Sequence, residues 1–360
     1  MVVLRVLAFG GGVAVALWVL MSALRTVVVP RGERVLLTSL VFAAGREVTE
    51  AIATRVRSDE ATERIRAWFA PTALALLPAA WAMTIAAAFV PMYWAVGVEP
   101  FREALVLSGS SLTTLGFSRP NELPAVGLAV VEGFIGLGLV ALLISYLPSM
   151  YSHFSHREHG VAKFESWAGS PPTPVEMLTR AHAIGWLDRL DDTWANWEDW
   201  FIEVEETHTS FPALVFFRSP EPARSWVTTA GAALDTAAIS ASVVNVIPPY
   251  QASLCIRSGY LALRNIADFY GIAYDPDPAP DDPISITREE FDTAYEELAV
   301  AGVPVRPDRN RAWRDFAGWR VNYDTVLIEL CSLVNAPAAP WSADRAPRRN
   351  RHPFFPSRPK

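Results

Sequence analysis

Residues 111–118 read Ser-Leu-Thr-Thr-Leu-Gly-Phe-Ser. A run of backbone carbonyls, threonine hydroxyls and a glycine that can reverse the chain are the parts needed to replace the water shell of a small cation. Gly116 supplies the reversal without the steric cost that a Cβ brings at positive φ. Thr114 adds a hydroxyl at one end, and Phe117 offers a ring to wedge the strand in place. Further on, Glu132 lies inside an apolar run, where a carboxylate is costly unless paired or wet. One expectation is a pair with Arg119 or Arg102; the other is a carboxylate facing a wet vestibule.

The remaining chemistry-bearing residues are weaker signals. His153, His156 and His159 recur at three-residue spacing, share one broad face if helical, and titrate near neutral pH. Their plainer reading is a solvated helix end. Glu205 and His208 form one Glu-x-x-His, whereas carboxylate-bridged metal bundles need two such motifs and two further acids. An ordinary charged helix end is expected there, and no metal site. Cys255 and Cys331 form no Cys-x-x-Cys and are expected to be buried thiols. Dinucleotide, P-loop and serine-elbow motifs are missing, so no convergent catalytic set is seen, no enzyme is expected and no cofactor is implied.

These residues need elements to hold them. Residues of about 70–96 and 125–151 are apolar and long enough to cross a hydrocarbon layer of about 30 Å as helices. Between them, 99–124 is too polar and broken to span. A short helix that dips in, followed by a polar return, fits it. Non-helical backbone at membrane depth persists only where protein buries it or it lines a wet cavity. Residues 2–29 form another apolar stretch, interrupted by Gly10-Gly11-Gly12. Ser22-Ala23-Leu24-Arg25 offers no small-x-small cleavage site, so an anchor helix is preferred to a signal peptide.

The stretch 31–68 carries seven arginines, against two (Arg102 and Arg119) in 97–124. The positive-inside rule then makes 31–68 and the long carboxyl region cytoplasmic, and puts 97–124 and the amino terminus outside. The apolar spacing of 31–68 predicts amphipathic helix along the membrane surface or against the cytoplasmic part.

The order spanning helix, short helix, Thr-Thr-Leu-Gly-Phe, spanning helix resembles the pore module of potassium channels. Thr113, Thr114, Leu115, Gly116 and Phe117 match that family's Thr-Thr-X-Gly-Tyr/Phe filter in order, over a resemblance covering about residues 70–155. Ser118 stands where the family has its second filter glycine, and Arg119 where it usually has an acid. The resemblance implies a homotetramer in a lipid bilayer, one loop per subunit, with potassium or another monovalent cation as the permeating ion. It implies an ion path through residues 113–118, an outer mouth at Arg119 and Glu132, and an inner-helix hinge at Gly136 and Gly138. The competing reading is a non-conducting, membrane-anchored sensor or scaffold whose cytoplasmic part binds a partner.

Composition agrees with a chain of two materials. Of 360 residues, 51% are hydrophobic, and the mean hydropathy is +0.20. That is too apolar for an ordinary soluble protein and too polar for a wholly membrane one. A net charge of −7 gives no reason to expect a nucleic-acid partner. Lysine occurs only at Lys163 and Lys360, a bias toward arginine that suggests a GC-rich bacterial genome. The expected fold is all-α: an anchor helix (1–30), a cytoplasmic linker (31–69), the pore module (70–155), a cytoplasmic helical domain (160–335) and a disordered Pro/Arg-rich tail (336–360). Within the domain, helices are expected near 173–207, 220–247, 250–272, 287–302 and 308–335. The proline-rich 275–283 cannot be helix, and 229–246 is read as a central bundle helix despite its apolar content. No regulatory partner or ligand of this domain can be named.

Overall fold

The computed structural model describes residues 1–27, 35–56, 58–245 and 250–347. Among them every long element is an α-helix, and the only β pairing is an isolated bridge between Val244 and Val305. The chain divides into two units, residues 1–56 with 68–152, and 57–67 with 153–360. Among the described residues three helices are long and apolar enough to cross a membrane: α1 (Val2–Val27), the stretch Arg64–Ala95 of α3 (Asp59–Ala95), and α5 (Leu123–Ala168). The chain is thus a multi-pass membrane protein in which a helical membrane module is joined to a separate helical bundle.

The first unit is built on α1, α2 (Leu36–Ala53), most of α3, α4 (Phe101–Leu112) and the first part of α5. Its core includes Val19, Leu77, Trp81, Ile85, Phe89, Tyr93, Leu107 and Leu139. Gly12 is where α1 meets α3: a Cβ there would lie 2.5 Å from the Ala88 carbonyl oxygen. The other two glycines of the triplet have open space around them, and the helix runs through all three. Pro71, Pro78 and Pro91 lie inside α3 without ending it, as membrane helices allow when neighbours take up the freed carbonyls.

Helix α2 buries Ser39, Phe42, Ala43 and Arg46 on one face. Phe42 meets Phe69 edge-on at 6.0 Å, and Thr38 shares a 2.9 Å hydroxyl contact with Thr26 of α1. The amphipathic helix expected within 31–68 therefore packs inside the membrane module. Residues 28–34, where two of the counted arginines fall, lie outside the described residues.

The second unit holds α6 (Pro174–Ala183), α7 (Leu190–Ser210), α8 (Trp226–Ser242), α9 (Tyr250–Tyr270), α10 (Arg288–Val300), α11 (Arg309–Arg320) and α12 (Asp324–Val334). α9 packs on α7 and α8, while α11 and α6 cover other sides of α8. Every residue of α8 except Ser240 is buried, the central position expected from its small apolar residues. Asp235, inside it, takes two contacts of 2.6 and 2.7 Å from Nη1 of Arg320 and one of 2.8 Å from the Tyr323 hydroxyl.

Two expected helices are each split. The one expected at 173–207 stops at Ala183, because Gly185 turns at φ +70° before α7 begins at Leu190. That at 308–335 breaks between Arg320 and Asp324, where Arg320 turns inward to the core. The start expected at 220 moves to Trp226. Part of the stretch expected to be a disordered tail is instead ordered against the bundle: Trp341 meets Phe316 at 5.8 Å, its carbonyl accepts from Arg320 at 2.7 Å, and Arg345 pairs with Glu290. Residues 348–360 lie outside the described residues.

Candidate functional site

The connection from α4 to α5 is short and internally tied. Pro100 precedes the first turn of α4, and Thr113 closes the last one, its hydroxyl donating to the Gly109 carbonyl at 2.6 Å. Beyond it the chain folds back on the helix end. The amide of Thr114 donates to Ser111 at 3.0 Å, and that of Gly116 to the Ser110 carbonyl at 3.4 Å. Thr114 and Gly116 take positive φ, +58° and +69°, on either side of Leu115. Glycine accepts that conformation freely and threonine at a cost, so the turn is imposed on Thr114 by its surroundings.

Ser110 is the tie. Its Oγ accepts from the Ser118 amide at 2.9 Å and donates to the Ser118 carbonyl at 3.3 Å, closing the return strand onto the helix it left. A compact knot results, with its side chains outward. Leu115 is 71% exposed and Phe117 65% exposed, and the Phe117 ring does not wedge behind the strand as expected. Arg119 is exposed beside it.

Behind the knot lies a buried polar cluster. Glu132, on α5, is fully buried. Its two carboxylate oxygens accept from the Tyr93 hydroxyl of α3 at 2.8 Å and from the Ser108 hydroxyl of α4 at 2.5 Å. Tyr93 also reaches Ser111 Oγ at 3.4 Å, and Ser108 the Ala86 carbonyl at 3.2 Å. The carboxylate therefore takes hydroxyl partners rather than Arg102 or Arg119, and faces no vestibule. One side chain binds three helices together. A side-chain hydrogen bond contributes about 0.5–1.5 kcal/mol net, and removing either hydroxyl leaves a buried carboxyl oxygen without that partner.

Gly136 completes the seat. A Cβ at Gly136 would lie 1.9 Å from the Leu112 carbonyl oxygen, so the end of α4 rests directly on α5 there. Gly138 has nothing near its would-be Cβ, and α5 continues through both positions. The duty visible at Gly136 is close packing.

The other sequence candidates fall in the bundle. His153 stacks on Phe211 at 5.0 Å, and His156 approaches Glu203 at 3.2 Å. His208, expected at a charged helix end, is buried. Its Nδ1 donates to the Val204 carbonyl at 2.8 Å and its Nε2 accepts from Arg157 at 3.3 Å. Burial, reinforced by the Arg157 charge, pushes its pKa well below the usual 6.5. Among the described residues no group of three or more His, Cys, Asp or Glu side chains could hold a metal ion. Cys255 and Cys331 are free and buried.

Comparison with protein-family models, with curated proteins and with solved structures gives no match. The class defined by the fold is a membrane helical module joined to a helical bundle. Any finer reading rests on the residues of the α4–α5 connection.

Proposed function

We propose that the chain assembles as a homotetramer in the bilayer and conducts monovalent cations, potassium among them, through residues 113–118. The observation that carries this reading is the α4–α5 connection, with alternate positive φ at Thr114 and Gly116, held by Ser110 and braced from behind by Glu132. Alternating the sign of φ along a short run turns successive carbonyls toward a common side, the geometry a dehydrated ion needs. The exposed Leu115 and Phe117 are the side chains a neighbouring subunit would cover. In this reading Thr113 to Ser118 form the ion path and Arg119 its outer mouth, while Glu132 holds the path in place. Gly138, with open space around it, is the better of the two glycines for bending. The bundle is a cytoplasmic regulatory domain, and no catalysis is proposed.

A second reading is favoured by the tightness of the knot and the exposed Arg119: a non-conducting, membrane-anchored sensor or scaffold. Flux from proteoliposomes separates the two. The channel reading expects potassium or sodium efflux without chloride, and loss of flux with unchanged assembly in Gly116→Ala, whose Cβ opposes φ +69°. Absence of cation flux from an assembled protein, or full flux in Gly116→Ala, overturns it.

A further inference from the structure

The polar cluster behind the knot is a chain of hydroxyls that ends on a carboxyl group. The Ser111 hydroxyl lies 3.4 Å from that of Tyr93, which lies 2.8 Å from Oε2 of Glu132. Oε1 of Glu132 meets the Ser108 hydroxyl at 2.5 Å. Glu132 is fully buried, whereas Ser111 is half-buried. The chain thus leads from the edge of the membrane module to its interior. Toward Glu132, α3 presents the Tyr93 hydroxyl and α4 the Ser108 hydroxyl, with Ser111 one step further. Tyr93 is the other ionisable group in the cluster, and residues 113–118 contribute none. Among the described residues, the side chains that bond Glu132 are those two hydroxyls, and neither carries a positive charge.

Counting hydrogens gives two complete arrangements. A carboxylate only accepts, a protonated carboxyl also donates once, and each hydroxyl can do both. With a carboxylate, Ser111 donates to Tyr93 and Tyr93 to Oε2. With a carboxylic acid, the proton on Oε2 is donated to Tyr93, and Tyr93 donates to Ser111. Ser108 donates to Oε1 in both. One proton therefore reverses the chain without stranding any atom of it. A buried arginine partner would favour one state alone; hydroxyl partners serve both. Charge-assisted hydrogen bonds are about twice as strong as neutral ones, so the carboxylate ties α3 and α4 to α5 more firmly than the acid does. The outer end of the chain adjoins the knot, because the Ser111 carbonyl accepts from the Thr114 amide at 3.0 Å.

We propose that Glu132 is a proton-binding site that regulates the ion path. With the proton off, the end of α4 is held and the path conducts; with the proton on, the hold relaxes and conduction falls. The regulation rests on the channel reading above, whereas the proton site does not. The proton comes from water at the edge of the module. A hydronium ion gives a proton to Ser111 Oγ and becomes water, the hydroxyl proton of Ser111 passes to Tyr93, and that of Tyr93 passes to Oε2. An O–H bond forms as each one breaks, and the site gains one proton.

Two measurements on the full chain test this, each between about pH 8 and about pH 5, a range that spans ordinary carboxyl and histidine titration. The first is potassium efflux from proteoliposomes. Wild-type flux should fall several-fold on acidification. Glu132→Gln keeps a donor and an acceptor but cannot change charge, so its flux should be low and independent of pH. Tyr93→Phe keeps the ring and removes the relay, and its acid response should be several-fold smaller. His153 and His156 titrate in the same range, so the variants, not the wild-type profile, make the assignment. The second measurement is the infrared difference spectrum in detergent, where the wild type should show the carbonyl stretch of a protonated carboxyl that Glu132→Gln lacks. Wild-type and Glu132→Gln spectra that coincide in that region overturn the proton site. Wild-type flux that does not respond to acid, or an acid response that persists undiminished in Glu132→Gln or in Tyr93→Phe, overturns the regulation. Absence of cation flux at either pH overturns the channel reading and the regulation with it, while the infrared comparison decides the proton site by itself.

Discussion

His208 is fixed as a neutral ring by two bonds of opposite sense, one donated to Val204 and one accepted from Arg157. Protonation would remove the acceptor and set two cations together. With its folded pKa held well below 6.5 by burial and Arg157, the unfolded chain takes up the proton first. Stability from this group is fully present above about pH 6.5 and is lost as pH falls toward the depressed value. The limiting slope is about 1.4 kcal/mol per pH unit. Thermal unfolding of the full chain between pH 7.5 and 5 should show a falling midpoint, and His208→Gln should flatten the profile while lowering the midpoint at pH 7.5. An equally steep profile in the variant would contradict the assignment. Arg320 presents the opposite balance. Burial works against its charge, but the carboxylates of Asp235 and Asp324 outweigh that and push its pKa up. Neither cluster was visible in the sequence: Asp235 and Arg320 are 85 residues apart, and no local pattern links them.

At the scale of elements, the meeting of α4 with α5 rests on one missing methyl group. Gly136→Ala should cost about 1–3 kcal/mol, since the helix end must move off its seat. Gly138→Ala, at an open position, should be neutral or gain up to about 1 kcal/mol from helix propensity. Unfolding of the two variants in the same detergent gives the comparison, and equal effects would mean that the seat is not where stability is held. The spans, the short helix and the loop were legible because apolar runs and polar breaks are local signals. Glu132 stood out for the same reason, yet its partners did not. Tyr93 and Ser108 come from two other helices and look unremarkable where they stand. Charge alone points to Arg102 and Arg119 as partners, although two buried hydroxyls satisfy a carboxylate without burying a cation. In the bundle, apolar spacing continued across Gly185, which hid the break between α6 and α7. The ordered part of the tail was missed because its contacts, Trp341 on Phe316 and Arg345 on Glu290, depend on the assembled bundle rather than on composition.

For the whole molecule, the charge distribution predicts an orientation that can be tested. Arginine is dense in 31–68 and sparse in 97–124, and a membrane retains such segments on the cytoplasmic side. The connection between α4 and α5 should then be external and the bundle internal. The two native cysteines suit a labelling test, because both are buried and burial pushes their thiols up, away from the reactive thiolate. New cysteines can be placed at exposed positions on either side: Asn121→Cys just before α5, and Asp281→Cys in the proline-rich loop of the bundle. Neither side chain is bonded in a core, so neither change should disturb folding. In right-side-out membrane vesicles, an impermeant maleimide should label Asn121→Cys at once and Asp281→Cys only after permeabilisation. The reverse pattern would place the knot of residues 113–118 inside and require the amino-terminal helix α1 to run the other way. Labelling of both in sealed vesicles would mean that α5 does not separate the two sites. Since α5 has 46 residues, about 69 Å at helical rise, it is long enough to cross the hydrocarbon layer and still reach well beyond it.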